Sequence, residues 1–255
     1  MNSNVRQKST MPKNINSAFR LHRILEQHRT QPDGKQAMEA WAGILNVTEK
    51  HPHKRVIIVG ELIHAMHREL EYASHGLAKL NFSNNLYETA FSKIETALSP
   101  LLLPATWSSV TQYLTPDVIT ALAFCAEILP NEESEISGAE LDSIRNKLSD
   151  LKDSLDDASL PQRLRKLIEH HIELIERAIS EYKISGAIAL REAARTALGE
   201  MIEAREEISA EKNSPAVSKL EAAWKALNEA ADIAIKAEGI AELGQKAFDV
   251  LLSIL

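Results

Sequence analysis

Residues 137–182 read SGAELDSIRNKLSDLKDSLDDASLPQRLRKLIEHHIELIERAISEY, and the spacing of their apolar side chains decides the fold class. Ser137 followed by Glu140 is a capping box: the hydroxyl accepts from the backbone at the third helical position, and the carboxylate reaches back to the cap. Leu141, Ile144, Leu148, Leu151, Leu155 and Ala158 then recur three and four apart, a narrow seam of heptad type. The other faces carry Asp142, Arg145, Lys147, Asp150, Lys152 and Asp153. Ser159-Leu160-Pro161 reads as a turn, because proline is tolerated only where its missing N–H has no helical partner. A second arm follows with Leu164, Leu167, Ile168, His171, Leu174, Ile175, Ala178, Ile179 and Tyr182 inward. That stripe is wider than the first and predicts more than one neighbour. After Ser185-Gly186 the pattern resumes with Ala187, Leu190, Ala194, Ala197, Leu198, Met201 and Ile202. The expectation is one long helix bent near Gly186.

The remaining chain reads as helix throughout. Residues 1–15 are basic and polar and are expected to be a disordered tail. Phe19, Leu21, Ile24 and Leu25 predict a first helix, and Met38, Trp41, Ile44 and Leu45 a second after the Pro32-Asp33-Gly34 turn, with Asp33 or Gly34 as its cap. Ile58, Leu62, Ala65, Met66, Glu69 and Leu70 predict one long helix over 55–80; a strand at Val56–Val59 is the alternative. Asn85 with Glu88 is read as a cap for a helix through Leu86, Phe91 and Ile94. Leu101-Leu102-Leu103 is expected to be a buried connector. Thr115-Pro116-Asp117 combines a capping side chain, a proline and an early acid, and opens a helix that buries Val118, Leu122, Phe124, Cys125 and Leu129. Residues 130–134 look like a linker and a soft domain boundary. Ser214-Pro215 starts a last helix, whose apolar positions run from Trp224 to Leu243, Val250, Leu251 and Ile254. The division is therefore a tail (1–15), an N-terminal helical bundle (16–130), a long helical hairpin (136–209) and a C-terminal amphipathic helix (215–255).

Only 5% of residues are aromatic and strand-like alternation is nearly absent, which leaves an all-α fold. Charge is split: residues 1–128 hold 13 Lys and Arg against 11 Asp and Glu, and residues 129–255 hold 16 against 25. An acidic second half argues against a nucleic-acid partner. One cysteine, Cys125, allows no intrachain disulfide and points to a reducing, cytoplasmic compartment. No run of about 18 apolar residues exists to cross a bilayer, and no secretory leader is recognised.

Chemistry-bearing patterns are sparse. Glu61-x-x-His64 places a carboxylate and an imidazole on one helix face, with His67 a turn further on. Di-iron helical bundles need two such pairs and two more glutamates. The second pair is missing, so the expectation is a polar face with no metal. His171 falls on an apolar stripe and reads as a satisfied core residue, with His170 outward. Cys125 sits among Ala123, Phe124 and Ala126 and reads as core. Arg20-Leu21-His22-Arg23 and Arg163-Leu164-Arg165-Lys166 read as solvated faces. No phosphate loop, zinc spacing or serine-hydrolase elbow is present, and nothing calls for a cofactor.

Trp41, Trp107-Ser108-Ser109-Val110, the run from Leu114 to Leu122, Glu181-Tyr182 and Ala187–Gly199 together resemble a family of bacterial all-helical proteins known as hypothetical open reading frames. The resemblance implies a bacterial, cytoplasmic origin and carries no activity. The expected role is a non-enzymatic interaction, scaffold or regulatory protein. It would form a homodimer or bind a helical partner through Leu141, Ile144, Leu148, Leu151 and Leu155 or through Leu243, Val250, Leu251 and Ile254. A membrane-active effector using the last helix ranks second, through a peripheral membrane contact. A metal-dependent bundle enzyme ranks third.

Overall fold

A computed structural model of the chain describes residues 14–156 and 160–235. Its N-terminal half holds α1 (Ser17–Leu25), α2 (Ala37–Ile44), α3 (Pro52–Lys79), α4 (Glu88–Ala97), α5 (Trp107–Thr111) and α6 (Pro116–Ile128). Its C-terminal half holds α7 (Gly138–Asp153), α8 (Gln162–Ser185), α9 (Ala187–Glu203), α10 (Arg205–Ala210) and α11 (Pro215–Ile235). Among the described residues there is no strand, only isolated bridges at Ile15–Glu133 and Gln36–Thr106, so the fold is all-α. The 56–59 stretch lies inside α3.

Local chemistry sets several helix starts. The Ser137–Glu140 capping box is made in both directions. Ser214 accepts from the Val217 N–H and opens α11, and α3 and α6 both begin on proline. Asn16 caps α1 by accepting from Phe19 N–H, and its amide donates to the carbonyls of Ala126 (2.8 Å) and Leu129 (3.1 Å). One side chain thus both starts α1 and ties it to the end of α6. Other expected caps are absent: Asn85, Asp33 and Gly34 do not cap, and Thr115 makes no side-chain cap bond.

Two hydrophobic cores form. In the first, α1 packs on α6 and α3, and α4 on α6. Trp41 and Trp107 meet edge to face at 5.0 Å, and the Trp107 indole donates to the His28 carbonyl. The second core is a four-helix arrangement in which α7 lies mainly against α11, and α8 against α9. Among the described residues of the second half, only Ile184 joins the first core.

Several expectations are corrected. The chain does not continue as a bent rod past Gly186; it reverses there. Glu200 on α9 reaches His170 and His171 on α8, and Glu207 reaches Arg163. Gly186 has φ 60 and ψ −149, a region essentially reserved for glycine. A Cβ there would also lie 2.1 Å from Glu133 Oε1. The 130–134 segment does connect the two cores, and it is fastened at both ends: Glu132 N–H donates to Ile15 O, Asn131 accepts from Ile15 N–H, and Ser134 N–H donates to Ala234 O. Ile15 is therefore anchored; residues 1–13, the rest of the expected tail, lie outside the described residues. Leu101 is 85% exposed and Phe124 66% exposed, neither buried as expected.

Candidate functional site

The run Arg20–Arg23 reads as a solvated face, yet Arg20 is 3% exposed, at the seam where α1 and α3 meet the end of α8. Three carboxylates converge on its guanidinium. Glu69 Oε2 accepts from Nη2 at 2.6 Å and from Nε at 2.9 Å. Glu132 Oε2 accepts from Nη2 at 2.7 Å, and Glu133 Oε1 from Nη1 at 3.0 Å. The Ile184 carbonyl also accepts from Nε, at 3.0 Å. Glu133 turns its second oxygen to the Ala187 N–H at 2.6 Å, the first amide after Gly186. One buried cation therefore joins α1, α3, the 132–133 crossover and the α8–α9 turn.

The electrostatics are unbalanced. Burial works against the charge on Arg20, but Glu69, Glu132 and Glu133 outweigh it and hold the guanidinium more firmly protonated than usual. Burial pushes the Glu69 carboxyl up to about 7 despite Arg20. It raises Glu133 as well, against the pull of Arg20 and the Ala187 N–H. Glu69 Oε1 and Ser185 Oγ are buried with no hydrogen-bond partner. The cavity beside Arg20 and Glu133 is about 10 Å³, room for roughly one water and no substrate.

A separate open cleft of about 1150 Å³ lies between the 45–50 segment and α3 on one side and α7 and α8 on the other. Leu62, Leu148 and Ile179 form its floor, and Leu45, Val47 and Ile58 its half-buried wall. Charges of both signs rim it, and several pair with one another: Lys152 with Glu176 at 2.6 Å, and Arg177 with Glu61 and Glu181.

His171 is fully buried in the second core. Trp224 Nε1–H donates to His171 Nδ1 at 3.1 Å. That bond places the ring proton on Nε2, which faces Glu200 Oε2 at 3.4 Å. Burial, with the charge of His170, pulls the imidazole down to about 4, so the ring is neutral.

The structure does not gather the metal candidates into one site. Glu61 pairs with Arg177, His64 is exposed, and His67 bonds the Leu98 carbonyl at the α4 end. Among the described residues no three His, Cys, Asp or Glu are grouped as metal ligands. Cys125 is buried and its thiol is pushed up to about 11, the opposite of an activated nucleophile. Of the interface candidates, Ile144, Leu148 and Leu151 are buried and Leu141 and Leu155 partly so, all within the core that α7 shares with α11 and α8. Within this chain the seam is filled by α11 and α8. Leu243, Val250, Leu251 and Ile254 lie outside the described residues.

No family model, curated protein or solved structure matches this chain. The Arg20 cluster is what the sequence concealed. Its one local signal was Glu69, which keeps helical register with Leu62, Met66 and Leu70 on an apolar face.

Proposed function

We propose that the chain is a non-enzymatic helical interaction protein that binds a helical protein segment in the cleft between its two bundles. The observation that carries this reading is a contrast. The cluster where ionisable groups converge is built on the buried Arg20 and Glu69, beside about 10 Å³ of space. The open space, about 1150 Å³, has an apolar floor and a rim of paired charges. An enzyme site needs its titrating groups within reach of a substrate, whereas a docked amphipathic helix needs an apolar floor and a polar rim. The buried, unactivated Cys125 suits the same reading and a reducing, cytoplasmic setting. That no helix among the described residues is long and apolar enough to cross a membrane is compatible with it.

Capture from the native host tests the proposal. The wild-type chain and a Val47→Asp, Ile58→Asp variant serve as baits, after both are shown to unfold at similar temperatures. A protein recovered by the wild type and lost by the variant supports cleft binding. Equal recovery by both baits rejects it, as does a co-purifying small molecule with no protein.

A further inference from the structure

The charges at the seam do not cancel. Glu69 is completely buried, Glu133 nearly so, and the Glu132 side chain 38% exposed, while Arg20 is the cation all three share. Glu69 offers only Oε2 to Arg20, and its Oε1 has no partner. A fully ionised cluster would hold a bare carboxylate oxygen out of water next to two further anions, an expensive arrangement. A single proton on Oε1 removes the excess negative charge and leaves both bonds from Arg20 in place.

The cluster also sits where the two cores meet. The two cores are separate clusters of buried residues, with Ile184 of α8 buried in the first, and between them lie both this ionic cluster and the apolar side chains that line the cleft. Arg68 on α3 spans Glu181 on α8 and Glu192 on α9 at the surface. Polar seams between separately packed units are the ones that move.

We propose that Arg20, Glu69, Glu132 and Glu133 form a proton-operated latch: with a proton on Glu69 the two bundles are locked together, and its loss to solvent lets the α8–α9 turn part from α1 and α3. The other groups facing the cluster do not supply the missing charge. Arg191 on α9 acts on Glu133 and is itself opposed by Arg195. Tyr182 on α8 is neutral, its hydroxyl accepting from Ile136 N–H and its pKa pushed up to about 12. Arg23 on α1 is engaged with Glu135. The charges that act on Glu69 are Arg20, Glu132 and Glu133. Each bundle keeps its own core when the latch opens, so helix content stays constant while the spacing between bundles changes. The cleft, walled by both bundles, changes shape with it, but the test below reads the seam alone.

Dyes on Glu88→Cys in α4 and Glu221→Cys in α11, both exposed positions, report the spacing by energy transfer from pH 5 to pH 9. In parallel, carbon-13 NMR follows the glutamate carboxyls. The expected result is a transfer change near neutral pH at constant circular dichroism, with the same midpoint as one glutamate titrating far above the others. Glu69→Gln, which keeps the acceptor and cannot lose a proton, stays closed across the range. A flat transfer curve, no glutamate titrating above pH 6, or a transition that survives in Glu69→Gln overturns the latch. If Glu69→Gln does not fold, the wild-type midpoints decide: coincidence supports the latch and separation overturns it.

Discussion

Replacing Arg20 by methionine tests the physical account of the seam most directly. The side chain makes five hydrogen bonds, four to carboxylates and one to the Ile184 carbonyl. Removing it leaves two buried carboxyls with no cation. Deleting one partner of a buried ion pair costs about 3–5 kcal/mol, mostly because the remaining charge is stranded. We expect a loss in that range at pH 7.5. The loss must depend on pH. Glu69 and Glu133 have raised folded-state pKa values, so the stability they contribute is present below their unfolded values and lost as pH rises through the folded ones. Without Arg20 those values rise further. At pH 5 the wild-type Glu69 is already protonated, and the variant's deficit should shrink by about 1 kcal/mol or more. Urea titration followed by tryptophan fluorescence measures both numbers, because Trp41 and Trp107 report one core and Trp224 the other. A deficit under about 1 kcal/mol, or one equal at pH 5 and pH 7.5, would refute the claim that Arg20 holds the seam by charge.

His171 should give the opposite pH limb. Its depressed folded value means stability present above about pH 6.5 and lost as pH falls towards about 4, amounting to roughly 3 kcal/mol at most. Glu200 across from Nε2 works against that loss; urea midpoints from pH 7 to pH 4 will read the balance, and His171→Met should flatten the limb. Gly186→Ala should destabilise by about 3 kcal/mol or more, since it combines positive-φ strain with a methyl driven into Glu133; a midpoint within error of wild type contradicts the reversal geometry. Cys125 should resist a thiol reagent at pH 8 until denaturant is added, and stoichiometric labelling of the folded chain would count against its place in the core.

What the sequence made legible was local. Ser137 and Glu140 announce a helix start within four residues, and His171 declares itself buried by keeping register with Ile168 and Ile175. α3 was readable as one helix because its stripe is long. Arg20 was not readable, because its partners lie 49, 112, 113 and 164 residues away and a short charged run is indistinguishable from a wet surface. The same reason hides how the 130–134 connection is held: it has the composition of a loop and joins the two cores, but Ile15 and Ala234 fasten it from distant parts of the chain. The α7 seam looked like half of a dimer because heptad spacing says that a partner helix exists and not which chain supplies it. Here α11 does. Phe124 shows the converse error, since periodicity marks a side chain as apolar without guaranteeing a neighbour to cover it.

The long separation between Arg20 and the Ile184 carbonyl has a consequence for synthesis. Arg20 leaves the ribosome first, and 164 residues must be added before its last acceptor emerges. At about 5–20 residues per second that interval is roughly 8 to 30 seconds. Once α6 has emerged, α1 can fold onto α3 and α6 while one face of its arginine stays uncapped, so the nascent N-terminal half should remain sensitive to protease near α1 until α8 has been made.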